Sequence, residues 1–447
     1  MPLRLVLVRH GLSRFNAERR IQGRDDLSEL TEAGAEQARR CGEALREIPL
    51  AAAYCSPLQR ARRTAEVMLA AHPAPPVLQV DPELLEIDLG PWSGLQRDAL
   101  RQLHPEQEQR WREAPHTLEL ERPDGSAYRP VIELMEQARL FTDRLLQEHA
   151  AALDGTAGET VLVVAHNGIL RCLMLQLLGL PADAFRNLRL DNASISVFNL
   201  SRTPELGLAV QIECLNSTVH DGRPLPSAGP GPRLLLVRHG ETDWNRQGRF
   251  QGQIDIPLNS NGLSQADAAG RFLAEVPLQK AFSSPMARPR QTAERILASH
   301  PAVELSFDDG LVEIGHGLWE GQLESEIAAT WPELLSDWKR APHTVQMPDG
   351  ETIHDVWQRA LAAWNGIAGS LDPGETALVV AHDAVNKTIL CALLGLGPEA
   401  IWAVKQGNGG VTVIDYPSGG DGLPVISSLN LTGHLGGVLD RTAAGAL

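Results

Sequence analysis

At 447 residues the chain exceeds one ordinary core, so two domains of about 200 residues each are expected. It has no 18-residue apolar run to suggest a membrane span, and its net charge of −16 argues against nucleic acid as the main partner. Five scattered cysteines (Cys41, Cys55, Cys172, Cys214 and Cys391) form neither a CxxC pair nor a zinc-spaced cluster, which reads as a reduced, cytoplasmic protein with single buried thiols.

The first apolar run, 3–8, reads as a strand; it leads straight into Arg9 and His10 and has no secretory character. A helix is expected near 32–46 and a strand near 52–55. The next helix is expected from Pro57, with Ser56 as its N-cap and proline in its first turn. A strand at 160–165 follows, then another helix. This alternation predicts an α/β fold, a mostly parallel sheet with helices on both faces. Arg9, His10 and His166 all fall just past strand ends, where such sheets place their sites.

The pattern then repeats. LVRHG occurs at 7–11 and 236–240, and Gln22-Gly23 falls on Gln251-Gly252. SPLQRARRTAE (56–66) meets SPMARPRQTAE (284–294), and LLEIDLGPWSG (84–94) meets LVEIGHGLWEG (311–321). APHT and VVAH also occur twice, and a second SP pair at 284–285 repeats the capping signal. The offset drifts from 229 (Leu7 to Leu236) to 216 (His166 to His382), as duplication followed by loop deletion would leave it. The expected division is a domain at 1–215, a Pro/Gly-rich linker at 216–232, a second domain at 233–435 and a tail at 436–447.

Polar residues present in both copies are Arg9, His10, Asn16, Arg60, Glu86 and His166, against Arg238, His239, Asn245, Arg288, Glu313 and His382. Two arginines and two histidines can surround a tetrahedral dianion, because guanidinium forks match phosphate oxygens. A histidine kept neutral by cationic neighbours can attack phosphorus. A carboxyl group can protonate the leaving oxygen and then activate water. With four cationic groups and no metal-ligand cluster, neither a metal nor another cofactor is expected.

These motifs resemble the histidine phosphatase superfamily, the phosphoglycerate mutase-like proteins, across nearly all of both halves. The second half, with RHGETDWN followed by RFQGQIDIPLNSNG, resembles it most. The resemblance implies His10 and His239 as phosphorylated nucleophiles and Glu86 and Glu313 as proton donors. It implies a phosphate pocket of Arg9, Arg60 and His166, with Arg238, Arg288 and His382. Asn16, Gln22, Gly23 and Asn167, with Asn245, Gln251 and Gly252, would line the substrate side, reached also by Arg62 and Arg290. Two-domain chains of this type resemble 2-carboxyarabinitol-1-phosphatases, which implies sugar phosphates as substrates.

Trp92 and Trp319 read as packing residues, and Arg14, Arg19, Arg20 and Arg24 as a solvated basic loop. Three departures stand out. Leu12 stands where the family has a glutamate close to the nucleophile. Asp383 puts a carboxylate beside a phosphate pocket, which repels substrate unless paired. Pro289 is expected to distort the helix that carries Arg288.

The reading is a phosphomonoesterase acting on small phosphate esters through a phosphohistidine. A phosphoglycerate mutase is one alternative; each half looks too short for the insertions that cap such mutases. One catalytic domain beside a decayed binding or scaffolding module is the other. Most turnover is expected in the second domain, because it keeps the full RHGE loop. The partner expected is a small phosphate ester, without nucleic acid or membrane.

Overall fold

The computed structural model describes residues 3–155, 158–203, 207–223, 225–420 and 422–442. Two compact units divide the chain: Met1–Val210 with Asn216–Arg223, and Gln211–Leu215 with Pro224–Leu447.

In the first unit the strands are β1 (Leu3–Arg9), β2 (Ala52–Cys55), β3 (Leu78–Val80), β6 (Glu159–Ala165), β7 (Ile195–Thr203) and β8 (Gly207–Ser217, of which Gln211–Leu215 belongs to the second unit), with a small hairpin of β4 (Leu120–Glu121) and β5 (Ala127–Tyr128). The main sheet runs in the order β8-β7-β1-β6-β2-β3. β1, β6, β2 and β3 pair in parallel, and β7 returns antiparallel to β1. Apolar residues fill β1 and β6 almost without interruption and are buried, as a sheet covered on both faces requires.

From β1 the chain moves outward to β2 and β3 through helices Glu32–Leu45 and Gln59–Ala70. It comes back to β6 and β7 through Pro130–Glu148 and Asn167–Leu178. Right-handed crossovers place helices built on the outward path and the return path on opposite faces. The direction reverses between β1 and β6, and a crevice opens there past their carboxyl ends.

The second unit repeats this plan with β9 (Arg233–Arg238), β10 (Lys280–Ser283), β11 (Leu305–Phe307), β12 (Thr376–Ala381), β13 (Val411–Asp415) and β14 (Val425–Leu431), in the order β11-β10-β12-β9-β13-β14. β9 and β12 are parallel neighbours, and β13 lies antiparallel to β9.

In each unit a glycine pair seats the loop after the first strand. An added Cβ on Gly11 would lie 2.3 Å from the Gly34 carbonyl oxygen, and on Gly240 2.4 Å from that of Gly262. Only glycine allows this backbone contact. The following helix starts at a side-chain cap, Thr31 or Asn259.

Several expectations need correcting. Ser56 and Ser284 are not N-caps: the helices begin at Gln59 and Ala287 after Leu58 and Met286, and the serines face elsewhere. Pro289 does not distort its helix, since it sits in the first turn of Ala287–Leu297, where the missing N–H has no intrahelical partner anyway. Residues 216–223 do not open the linker. β8 continues through Ser217, with Asn216 N–H on Ser196 Oγ at 3.0 Å and Asp191 N–H on Asn216 Oδ1 at 2.7 Å. Within the expected tail, Asp440 meets Lys405 Nζ at 3.3 Å and Thr442 Oγ1 accepts the Asn408 N–H at 3.0 Å. Residues 443–447 of the expected tail lie outside the described residues. Among the described residues no helix is long and apolar enough to cross a membrane.

Candidate active site

In the first unit Arg9 ends β1 and His10 follows it, His166 directly follows β6, and Arg60 stands in the first turn of helix Gln59–Ala70. The His10 and His166 rings come within 5.1 Å, edge to face. His10 Nδ1 lies 2.8 Å from the Gly11 carbonyl oxygen. A carbonyl only accepts, so a neutral ring carries its proton on Nδ1 and leaves the Nε2 lone pair bare. Thr64 Oγ1 takes the Gly11 N–H at 3.1 Å and fixes the loop.

Arg60 gives its two terminal nitrogens to the carbonyls of Asp25 (2.7 Å) and Gly23 (2.8 Å), so Gly23, at φ 53, orients the guanidinium. Arg9 donates to Leu190 O at 2.7 Å. The Nε atoms of both arginines are buried without a partner among the described residues.

His166 Nε2 lies 2.8 Å from Ser56 Oγ, while its Nδ1 is buried and unpartnered among the described residues. Ser56 Oγ also receives the Leu58 N–H at 3.4 Å. A hydroxyl that accepts there and donates to Nε2 leaves the His166 proton on Nδ1, free to meet an anion.

Glu86 reaches the amino end of helix Asn167–Leu178. Its Oε1 accepts from Ile87 (2.9 Å), Gly168 (3.0 Å) and Ile169 (3.2 Å) N–H, and Oε2 shares only the Gly168 N–H at 3.2 Å. Gly168 makes room: a Cβ there would stand 2.5 Å from Glu86 Oε1. Asn16 Oδ1 and the His10 carbonyl are tied to Asn192 Nδ2 at 3.1 and 3.0 Å. Gln22 Oε1 takes the Ser13 hydroxyl at 2.9 Å.

Arg9, His10, Asn16, Gln22, Gly23, Arg60, Glu86 and Asn167 line one cavity of about 600 Å³, and His166 is buried against His10. Burial, followed by the charges of Arg60 and Arg9, pushes the His10 pKa well below 6.5. His166 is lowered as well by burial, Arg60, His10 and Arg9. Burial also lowers Arg9 to about 10. The cluster is therefore built of neutral imidazoles held between guanidinium charges.

The second unit assembles the matching set. The His239 and His382 rings lie 5.2 Å apart, His239 Nδ1 is 2.7 Å from the Gly240 carbonyl oxygen, and His382 Nε2 is 2.9 Å from Ser284 Oγ. Arg288 reaches the Gly252 carbonyl at 2.7 Å, Asn245 Oδ1 caps Thr242, and Gln251 Oε1 takes the Thr242 hydroxyl.

Three features differ from the first unit. Arg288 Nε donates to His239 Nε2 at 3.3 Å, which occupies the lone pair left bare in the first unit. Asp383 pairs with Arg238 at 3.4 Å and Lys387 at 2.8 Å. Glu313 is buried, bonded to the Ile314 and Asp383 N–H, and raised in pKa chiefly by desolvation; Ala384 stands at the place of Gly168.

Arg62 and Arg290 do not reach either site. Both are exposed and face Glu66 and Glu294 on their own helices, at 3.1 and 3.9 Å. Arg20, assigned to a solvated loop, instead lines the cavity, and its guanidinium reaches Gly94 O at 3.0 Å. Trp92 and Trp319 are fully buried. Glu241, the carboxylate that Leu12 replaces, turns away from the nucleophile to Asn259 and Asn261 at 2.8 and 3.0 Å. Its absence from the first unit removes nothing from the cluster.

Sequence reading gave Ser56 only a capping role and passed over Thr64 and Asn192. All three recur as Ser284, Thr292 and Asn408, so the repeat itself held the signal. It also passed over the cavity arginines Arg97, Arg171 and Arg186, which occur in one copy only.

Comparison with known proteins agrees with this architecture. The model of the histidine phosphatase superfamily (branch 1) matches residues 5–206 and again 234–431. A 2-carboxy-D-arabinitol-1-phosphatase of Triticum aestivum is 30% identical over 97% of this chain and 86% of its own. Phosphoserine phosphatase 1 of Hydrogenobacter thermophilus is 33% identical over 46% of this chain and 94% of its own. A probable phosphoglycerate mutase, GpmB, of Klebsiella pneumoniae is 37% identical over 49% and 94%. Matched twice along its length, the chain belongs to the histidine phosphatase superfamily, as a tandem form.

Proposed function

We propose that the protein is a phosphomonoesterase that hydrolyses small phosphate esters through a phosphohistidine. The observation that carries the reading is the bare Nε2 of His10, anchored through Nδ1 and facing a neutral second histidine between Arg9 and Arg60. His10 Nε2 attacks phosphorus while Arg9, Arg60 and His166 Nδ1–H hold the equatorial oxygens. Glu86 Oε2 protonates the departing alkoxide. Water then attacks the phosphohistidine, with Glu86 as base, and releases inorganic phosphate.

Hydrolysis is favoured over phosphoryl return because Glu86 and Asn167 stay partly exposed, so water reaches the intermediate. The names of the relatives suggest phosphorylated sugar acids or phosphorylated small acids as substrates. A cytoplasmic setting agrees with five buried free cysteines, and a small-molecule partner with a net charge of −16.

The test is to incubate the full chain with 3-phosphoglycerate, quench it in alkali and map the acid-labile phosphate. Label on His10 with phosphate release is the expected result. Label on serine or aspartate, or isomerisation outpacing release, would overturn the reading.

A further inference from the structure

The cavity of the first unit carries more positive charge than one phosphoryl group needs. Beyond Arg9 and Arg60 its wall includes Arg97, Arg171 and Arg186. Arg171 has no hydrogen-bond or ion-pair partner among the described residues; its Nε is buried, and the guanidinium lies 5.4 Å over the Phe185 ring. Arg186 rests 4.8 Å over Trp111 and donates to the Trp111 carbonyl at 2.6 Å, with its own Nε buried and unpartnered. No carboxylate pairs with Arg97 among the described residues. Leaving the inward-turned guanidiniums of Arg171 and Arg186 uncompensated is costly, and repulsion from Arg97, which is exposed at the rim, adds to the cost. Arg171 is lowered to about 9, first by burial and then by Arg186, and Arg186 to about 10, first by burial and then by Arg97.

The second unit shows that the fold does not need this charge. At the aligned positions it has Glu324 for Arg97, Lys387 for Arg171 and Trp402 for Arg186. Lys387 is paired with Asp383 at 2.8 Å and lies 5.0 Å over Trp402, so charge there is cancelled internally. In the first unit Asn167 replaces that aspartate and cancels nothing. The carboxylates that line the same cavity are engaged elsewhere, Glu86 with backbone N–H groups, Glu108 with Arg101 at 3.4 Å and Asp191 with Arg189 at 3.1 Å, so a ligand can supply the direct contacts these arginines lack.

We propose that Arg97, Arg171 and Arg186 form a second anion subsite in the first unit, so that its substrate carries a carboxylate or a second phosphate besides the phosphoryl group it loses. The proposal rests on the phosphoester reading for the first anion. At about 600 Å³ the cavity suits a small organic ligand with two charged ends. Arginine forks bind either carboxylate or phosphate, so the second group needs its own arms in the test.

Binding can be measured by calorimetry on the full chain with both nucleophiles removed (His10→Ala with His239→Ala), so that ligands survive. Glycerol 3-phosphate offers one anion, 3-phosphoglycerate adds a carboxylate, and fructose 1,6-bisphosphate adds a phosphate. At least one doubly anionic ligand should bind ten times or more tighter than glycerol 3-phosphate, and which one identifies the second group. Arg171→Met should erase that advantage. Arg97→Glu, at an exposed position where folding is not at stake, should erase most of it. If neither ligand outbinds glycerol 3-phosphate, or if Arg97→Glu keeps the full preference, the subsite is refuted. Failure to detect phosphohistidine in the unmutated protein would count against the phosphatase reading alone.

Discussion

Ser56 Oγ stands 2.8 Å from His166 Nε2, and the same pair recurs at 2.9 Å between Ser284 and His382. A hydroxyl that donates to Nε2 dictates which imidazole nitrogen holds the proton, and so which one can serve an anion. Ser56→Ala should leave the fold intact and lower kcat/KM on the order of tenfold, the worth of one net hydrogen bond. Ser56→Thr should restore most of it. The ¹⁵N shifts of His166 report the tautomer directly; an unchanged tautomer in Ser56→Ala would refute the role.

Gly168 permits Glu86 to accept two N–H groups, of Gly168 and Ile169, at the amino end of helix Asn167–Leu178, and Ala384 denies Glu313 the same approach. Gly168→Ala should push the Glu86 carboxyl off its seat. An alkyl ester needs a proton on its leaving oxygen, whereas p-nitrophenolate hardly does. The variant should lose about tenfold or more on 3-phosphoglycerate and much less on p-nitrophenyl phosphate. Equal losses on both would show that the glutamate does not act as the acid.

The two copies should contribute unequally, and in the reverse of the order expected from the RHGE loop. Glu241 faces Asn259 and Asn261 and so does not serve the nucleophile, whereas Arg288 engages His239 Nε2 and Asp383 engages Arg238. His10→Ala should therefore remove most turnover and His239→Ala little, with Asp383→Asn raising what the second site yields. Parallel rates of phosphate release from the three variants decide it.

Acid should destabilise the protein early. His10, His166, His239 and His382 all titrate well below 6.5 when folded, with burial the largest cause. Below about pH 6.5 the unfolded chain takes up protons that the folded chain refuses, so stability is full above that pH and falls as pH drops. Each such histidine adds a slope of up to about 1.4 kcal/mol per pH unit. Thermal unfolding between pH 7 and 5 in phosphate-free buffer should show a falling Tm, less steep in His166→Gln.

Much of this site could be read before any coordinates. A residue type kept at one aligned position in both halves, such as Arg9 with Arg238, is visible because two copies act as each other's control. That comparison overlooks whatever one copy has alone, so Arg97, Arg171 and Arg186 escaped it. It also does not say where a side chain points. Ser56 has the sequence setting of a helix cap yet serves a histidine 110 residues away. Arg62 has the spacing of a ligand but projects from the opposite side of its helix. Glu241 is the sharpest instance: a carboxylate next to the nucleophile in sequence spends its hydrogen bonds on two asparagines.

The reversal of strand order between β1 and β6 means that the phosphate floor and the walls above it come from separate stretches of chain. The floor is fixed by strand ends, and the walls are supplied by segments such as Arg97 to Arg112, which spans sixteen residues, as does its counterpart Glu324 to Lys339. Such a segment can be exchanged without changing chain length or touching the strands. Duplication therefore gave this lineage a spare chassis, on which one copy could keep its transfer chemistry while its choice of cargo drifted freely.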